Sequence, residues 1–346
     1  MVTDKQPVER EASPHAGQRP STGGFHGRED QQPVLPEDRS RLLPMAPGRL
    51  WVQDLGPRDG GGEPALLMLH SLLVTGYDFR LLAEPLAAAG RRTVVPDLFG
   101  CGDSDRPHAH DTSGYGFAWH AELIAQMLDR LEIPSVDVIG HGYGGGVAVH
   151  LARRLELPHS EHRVRLRRLI LIAPHLQPVE TPIALPGPMP RLRRAWSWVG
   201  FAPLVFRTVF RRADLRRFLR RSLAAPELLD GPRLHGDVDI YWDRLCRDGG
   251  LEAVQAMLRQ LDLLHEFTTD GVRERLQVAA RSITSPTMFV WGDQDAIVPT
   301  ALAERTAALI PGAELRIVER CGHAPQRERP DELRRVLDGF GRRMRG

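Results

Sequence analysis

The sequence holds a single lysine, Lys5, and only three cysteines, Cys101, Cys246 and Cys321. An odd number of cysteines without metal-ligand spacing argues against a disulfide scaffold and offers no metal site, so a reducing compartment is expected. Arginine carries nearly all the positive charge, a trait of composition rather than of function. Neither sign is in excess: a net charge of +2 over 346 residues gives no whole-molecule attraction to nucleic acid or to an acidic partner. No stretch approaches the roughly 20 apolar residues of a membrane span. Met1 to Arg10 is charged and has no apolar run, which argues against a secretory signal. The expected location is cytoplasmic, and nothing in the sequence sets an oligomeric state.

What is present reads as a globular α/β protein. Hydrophobic residues make up 42% and charged residues 26%, ordinary values for such a chain. Residues 1–45 are rich in Pro, Gly, Ser, His, Gln and charge, and are expected to be a disordered tail. Order is expected from Gly48. Arg49 to Leu55 alternates like a strand, and Arg58 to Gly62 reads as a hairpin turn. Ala65 to Leu69 and Leu169 to Ala173 are apolar runs, as buried strands require, and Arg92 to Pro96, Thr287 to Trp291 and Glu314 to Val318 continue the strand pattern. Helical patterns cover Phe79 to Ala89, Phe117 to Leu131 and Asp331 to Met344. Strands alternating with helices predict a mostly parallel sheet with helices on both faces. The alternation stops from Pro174 to about Arg281, where helix-like pieces at Leu215 to Leu223 and Leu251 to Leu264 suggest an inserted helical lid. The expected division is therefore core over 46–175, lid over 176–281 and core again over 282–346.

Val136 to Ile139 runs into Gly140-His141-Gly142-Tyr143-Gly144-Gly145-Gly146, and a helix-compatible segment follows. Strand, sharp turn and helix form the setting of a Gly-x-nucleophile-x-Gly elbow. Glycines at 140, 144 and 145 let strand and helix approach closely. The nucleophile's own place is taken by Gly142, which has no side chain to attack with. A phosphate-binding loop fits poorly, because no Lys-Ser/Thr pair follows and no dinucleotide spacing is met. The arginines from Arg211 to Arg221 lie at helical spacing without interleaved aromatics, so a solvated face is expected rather than a nucleic-acid surface. Ala195 to Phe210 reads as lid rather than as a membrane-surface helix, since Gly200 and Pro203 interrupt it. His108 and His110 beside Asp111 read as a polar loop rather than as metal ligands.

Five motifs, in order, make the chain from about residue 48 onward resemble the capped α/β-hydrolase superfamily. They are His70-Ser71; Pro96-Asp97-Leu98-Phe99-Gly100-Cys101-Gly102-Asp103-Ser104-Asp105; the glycine elbow; Trp291-Gly292-Asp293-Gln294-Asp295; and Cys321-Gly322-His323-Ala324-Pro325 with Glu328 and Pro330. The resemblance implies His323 as base, Asp295 as its acid with Asp293 as runner-up, and an oxyanion hole from the backbone N–H groups of Leu72 and Tyr143. His70, His141, Trp196 and Trp198 would border the pocket, and Phe201, Phe206 and Phe210 would add apolar lid surface. Two positions depart from the pattern: Gly142 replaces the nucleophile, and Ser71 replaces a glycine of the oxyanion loop.

Three functions remain open at this point. The first is a cofactor-free enzyme whose His323–Asp295 pair activates water or takes a substrate proton, performing hydrolysis, elimination, cyclisation or isomerisation. The second is a hydrolase with its nucleophile relocated to Ser71, or less readily to Cys101 or Cys321. The third is a catalytically dead binding or scaffold protein, similar to the N-myc downstream-regulated proteins. The lid aromatics point to a small apolar or aromatic ligand, and no cofactor or metal is expected.

Overall fold

The structure is a computed structural model that describes residues 40–107, 114–176, 210–260 and 270–343. Eight strands form one sheet: β1 (Ser40–Met45), β2 (Gly48–Leu55), β3 (Ala65–Leu69), β4 (Thr93–Pro96), β5 (Ser135–His141), β6 (Arg165–Ile172), β7 (Thr287–Gly292) and β8 (Glu314–Val318). Their order is β1-β2-β4-β3-β5-β6-β7-β8. The β1/β2 and β2/β4 pairs are antiparallel and all later pairs are parallel.

The helices are α1 (Arg80–Ala88), α2 (Phe117–Arg130), α3 (Tyr143–Leu155), α4 (Arg212–Arg221), α5 (Asp237–Leu245), α6 (Gly250–Gln260), α7 (Asp270–Arg281), α8 (Ala303–Ala307), α9 (Pro325–Glu328) and α10 (Pro330–Arg343). The strands explain how both sheet faces are covered. Side chains alternate across a strand, so Leu67 and Leu69 of β3 join one apolar cluster with α2 and α3, while Leu66 and Met68 join another with α1 and α10. A strand buried on both sides must be apolar throughout, which is why β3 reads as an unbroken run. The alternating sheet pattern is interrupted between β6 and β7 by a helical insertion that carries α4 to α7.

Two expectations at the start of the fold need correction. Ser40 to Met45, assigned above to the tail, form edge strand β1, whose residues pair with β2 across the tight turn at Ala46-Pro47. The Arg58 to Gly62 stretch is no hairpin: Gly60–Gly62 make a 3-10 turn, and β2 pairs with β1 and β4, not with β3. Residues 1–39, the lid aromatics Trp196, Trp198, Phe201 and Phe206, and His108 and His110 lie outside the described residues. Among the described residues no helix is long and apolar enough to cross a membrane.

Candidate active site

The carboxyl ends of β3, β5, β7 and β8 converge, as expected for ligand sites on a parallel sheet. Strand β5 ends at His141, Gly142 follows with φ 53° and ψ −111°, and α3 begins at Tyr143. That positive φ lies where side chains are strained, so glycine holds the turn without steric cost. The Gly142 N–H donates to the Ile172 carbonyl at 3.0 Å, anchoring the turn to β6. Gly144 allows the close approach behind it: a Cβ there would lie 2.3 Å from the Leu69 carbonyl oxygen.

His323 and Asp295 meet beside this turn. The Nδ1 of His323 is 2.8 Å from Asp295 Oδ2. Asp295 Oδ1 accepts the backbone N–H groups of Ile297 and Val298, each at 2.8 Å. Both side chains are buried. The carboxylate fixes Nδ1 as the protonated nitrogen and leaves the Nε2 lone pair available. That Nε2 would lie 3.6 Å from a Cβ added at Gly142. Asp293, the runner-up acid, is committed elsewhere: its Oδ1 accepts the Cys321 N–H at 3.0 Å.

Ser71 faces the same point from the loop that follows β3. Its Oγ would be 2.2 Å, and its Cβ 3.0 Å, from the Cβ of a side chain at position 142. The Tyr143 N–H, at the start of α3, points to Ser71 Oγ at 3.4 Å. Ser71, Leu72, Val74, His141, Phe218, Leu219, Ser222 and His323 line a small cavity of about 20 Å³ to which Asp78, Ala324 and Arg327 also contribute. Phe218, Leu219 and Ser222 come from α4 and its end, so the insertion forms one wall. The Ser222 carbonyl also accepts the His323 N–H at 2.7 Å.

Two histidines expected at the pocket separate. His141 lines the cavity. His70 does not: its Nδ1 donates to the Ser71 carbonyl at 2.8 Å, while its Nε2 accepts the Leu98 N–H at 2.9 Å. It is a buried brace for Ser71, and burial pushes its pKa down. Phe210 is buried too, with its ring against Trp242, and is not part of the cavity wall. Neither Cys101 nor Cys321 offers a ready thiolate. Burial pushes Cys101 up to about 12 and Cys321 well above its ordinary value.

Sequence reasoning misses the polar layer behind this cavity. His141 Nε2 donates to the His323 carbonyl at 3.0 Å, and Gln326 Nε2 lies 2.9 Å from His141 Nδ1 and 2.5 Å from Asp78 Oδ2. This pattern suits a neutral His141, and burial pushes its pKa down. Burial alone would raise the Asp78 carboxyl, but the Arg327 charge 3.4 Å away and the Gln326 amide hold it well below the usual range. Arg327 and Arg80 share Asp237 of α5, at 2.8 and 2.7 Å. Gln326 and Arg327 lie in the His323 motif, which is the one sequence signal available; Asp78 and Asp237 give none, because their partners are distant in sequence. His175, just after β6, is also missed. Its N–H donates to the Gly142 carbonyl at 3.3 Å, and its ring centre lies 6.0 Å from that of His323. Among the described residues no cluster suits a metal ion.

Comparison with known proteins follows the same architecture. The sequence profile described as "alpha/beta hydrolase fold" matches residues 64–330. A putative hydrolase, LipZ, of Mycobacterium tuberculosis is 28% identical over 300 residues, covering 85% of this chain and 92% of the relative. A 2-hydroxymuconate semialdehyde hydrolase of Pseudomonas putida is 29% identical over 291 residues, covering 81% and 88%. Among solved structures, Cfl2 of Burkholderia cenocepacia superposes with a TM-score of 0.68 at 26% identity, covering 87% of this chain and 95% of that one.

Proposed function

The chain belongs to the alpha/beta hydrolase fold family, and from that premise we propose that it is an enzyme acting on a small apolar or aromatic molecule. His323 is its general base, and Asp295 orients that base and stabilises the imidazolium. The observation that carries this reading is the 2.8 Å contact between His323 Nδ1 and Asp295 Oδ2, with the other imidazole nitrogen directed to the space above Gly142. A buried pair with only a structural role has no need of an open nitrogen beside a cavity. The hydrolase names of the relatives support the same class of chemistry.

The remaining roles follow from position. Leu72 borders the cavity, and the Tyr143 N–H opens helix α3, where unpaired donors favour negative charge. These two N–H groups would hold a developing oxyanion. The insertion, over about 176–281, would act as a cap, since α4 supplies Phe218 and Leu219 to the cavity wall. Apolar walls and matched internal charges favour a neutral, apolar substrate over an ionic one. The chemistry assigned to the base needs no cofactor.

The test is His323→Ala, assayed on a panel of p-nitrophenyl esters with ligand binding followed in parallel. General-base loss should lower turnover by about 10²–10⁴-fold and leave binding largely intact. Turnover that survives unchanged would remove His323 from the chemistry.

A further inference from the structure

We propose that the nucleophile of this site has moved: the Ser71 hydroxyl, in the loop that follows β3, replaces the side chain that Gly142 lacks. The proposal rests on the general-base reading above and names the group that the base serves. The two departures from the superfamily pattern are reciprocal. A hydroxymethyl group is missing at 142 and present at 71, where a glycine is expected. In space they coincide, because a Cβ at position 142 would sit 2.2 Å from Ser71 Oγ. Ser71 therefore fills the volume that a serine at 142 would use. The same point is 3.6 Å from His323 Nε2, the nitrogen left free by Asp295.

The bonding of Ser71 separates this role from that of a loop serine. The two other buried serines among the described residues donate to nearby carbonyls, Ser104 to Asp97 at 2.5 Å and Ser222 to Leu219 at 2.7 Å. Among the described residues the Ser71 hydroxyl donates to no carbonyl, and its one contact is the Tyr143 N–H at 3.4 Å. Its backbone, in contrast, is held by His70. A fixed main chain under an uncommitted hydroxyl is the arrangement a nucleophile needs. Ser71 Oγ and His323 Nε2 are not hydrogen-bonded to each other, so the mechanism requires them to close to hydrogen-bond distance as substrate binds.

The substrate class is a carboxylic ester with a small apolar acyl group. Ser71 Oγ attacks the carbonyl carbon and its proton passes to His323 Nε2. The tetrahedral intermediate collapses, the C–O bond to the leaving alcohol breaks, and His323 returns the proton to that alcohol. Water then gives a proton to His323 and attacks the acyl-Ser71 ester. The Oγ–C bond breaks, the carboxylic acid leaves, and Ser71 recovers its proton. Leu72, Val74, Phe218 and Leu219 supply the apolar wall for the acyl chain.

A fluorophosphonate probe with peptide mapping tests the assignment, together with p-nitrophenyl acetate turnover. The native chain should be labelled on Ser71. Ser71→Ala should lose the label and at least about 10²-fold of turnover, while melting within a few degrees of the native chain. The double exchange Ser71→Gly with Gly142→Ser should move the label to the peptide that contains position 142. Turnover that persists in Ser71→Ala but falls in His323→Ala overturns the Ser71 assignment and leaves the general base standing. Turnover untouched by His323→Ala overturns the base reading itself. A native chain with neither label nor turnover overturns both.

Discussion

Asp295 shows how much of the site depends on single atoms. One carboxylate oxygen receives two backbone N–H groups and the other receives the His323 Nδ1 proton. In Asp295→Asn only one oxygen remains, and an amide NH2 must face either the two backbone donors or the imidazole N–H. Both choices put donor against donor. The variant should fold, since the side chain keeps its size, but His323 should adopt the other tautomer. Turnover should fall by about 10²–10⁴-fold, the order seen when an orienting carboxylate is lost, and steady-state kinetics with the same esters would register it. Gly144 makes a second case, one of volume. A Cβ there would be 2.3 Å from the Leu69 carbonyl oxygen and 2.6 Å from that of His70. Gly144→Ala must therefore push on the strand end that leads to Ser71. Overpacking of this kind costs about 1–3 kcal/mol, readable by urea unfolding, and turnover should fall further than stability alone requires.

Among the elements, the insertion is tied to the core by charge as well as by apolar contact. Asp237 opens α5 and sits between Arg80 of α1 and Arg327 of α9, all three fully or almost fully buried. Asp237→Asn takes from the buried Arg80 guanidinium the carboxylate it is paired with, while Arg327 keeps only Asp78. Breaking a buried pair costs about 3–5 kcal/mol, and hydrogen exchange should quicken in Asp237–Leu245 before it does in the sheet. The elements also show what the sequence makes legible. β3, β4 and β7 are compact, buried runs, β8 is an edge strand that mixes charged and aliphatic residues, and the positions of all four follow from the pattern. β1 escapes because it is an edge strand with Leu42 exposed and Pro44 inside it, so its alternation is weak. α5 and α7 escape because helices of nine and twelve residues in a polar insertion offer few periodic positions. The Gly60–Gly62 turn misleads for the opposite reason: glycine marks a bend without saying which strands it joins. At the site, His323, Asp295 and Gly142 are legible from motifs, whereas the proximity of Ser71 to Gly142 is a property of the sheet order.

For the whole molecule, the near balance of surface charge leaves buried groups to set the response to pH. His120 is buried, its Nε2 lies 3.1 Å from the Phe99 carbonyl, and burial pushes it down to about 4. The unfolded chain protonates this side chain near its ordinary value of about 6.5; the folded chain refuses the proton until about pH 4. Between those values the unfolded state binds more protons, so stability falls as pH falls, by an amount of the order of 3 kcal/mol for complete titration. His70 and His141, also pushed down by burial, act in the same direction. Glu84, Glu328 and Asp237, pushed up by burial, act in the opposite direction as they take up protons in the folded state. Asp78, held low, contributes only in stronger acid, below the ordinary carboxylate range of about 4. The histidine share can be isolated by difference. His120→Gln keeps a donor for the Phe99 carbonyl and removes the titration, so its melting temperature should fall less than that of the native chain between pH 7 and pH 4.5. Parallel slopes for the two proteins would mean that His120 takes up its proton equally in the folded and unfolded chains, and that the acid sensitivity resides in other buried groups such as His70 and His141.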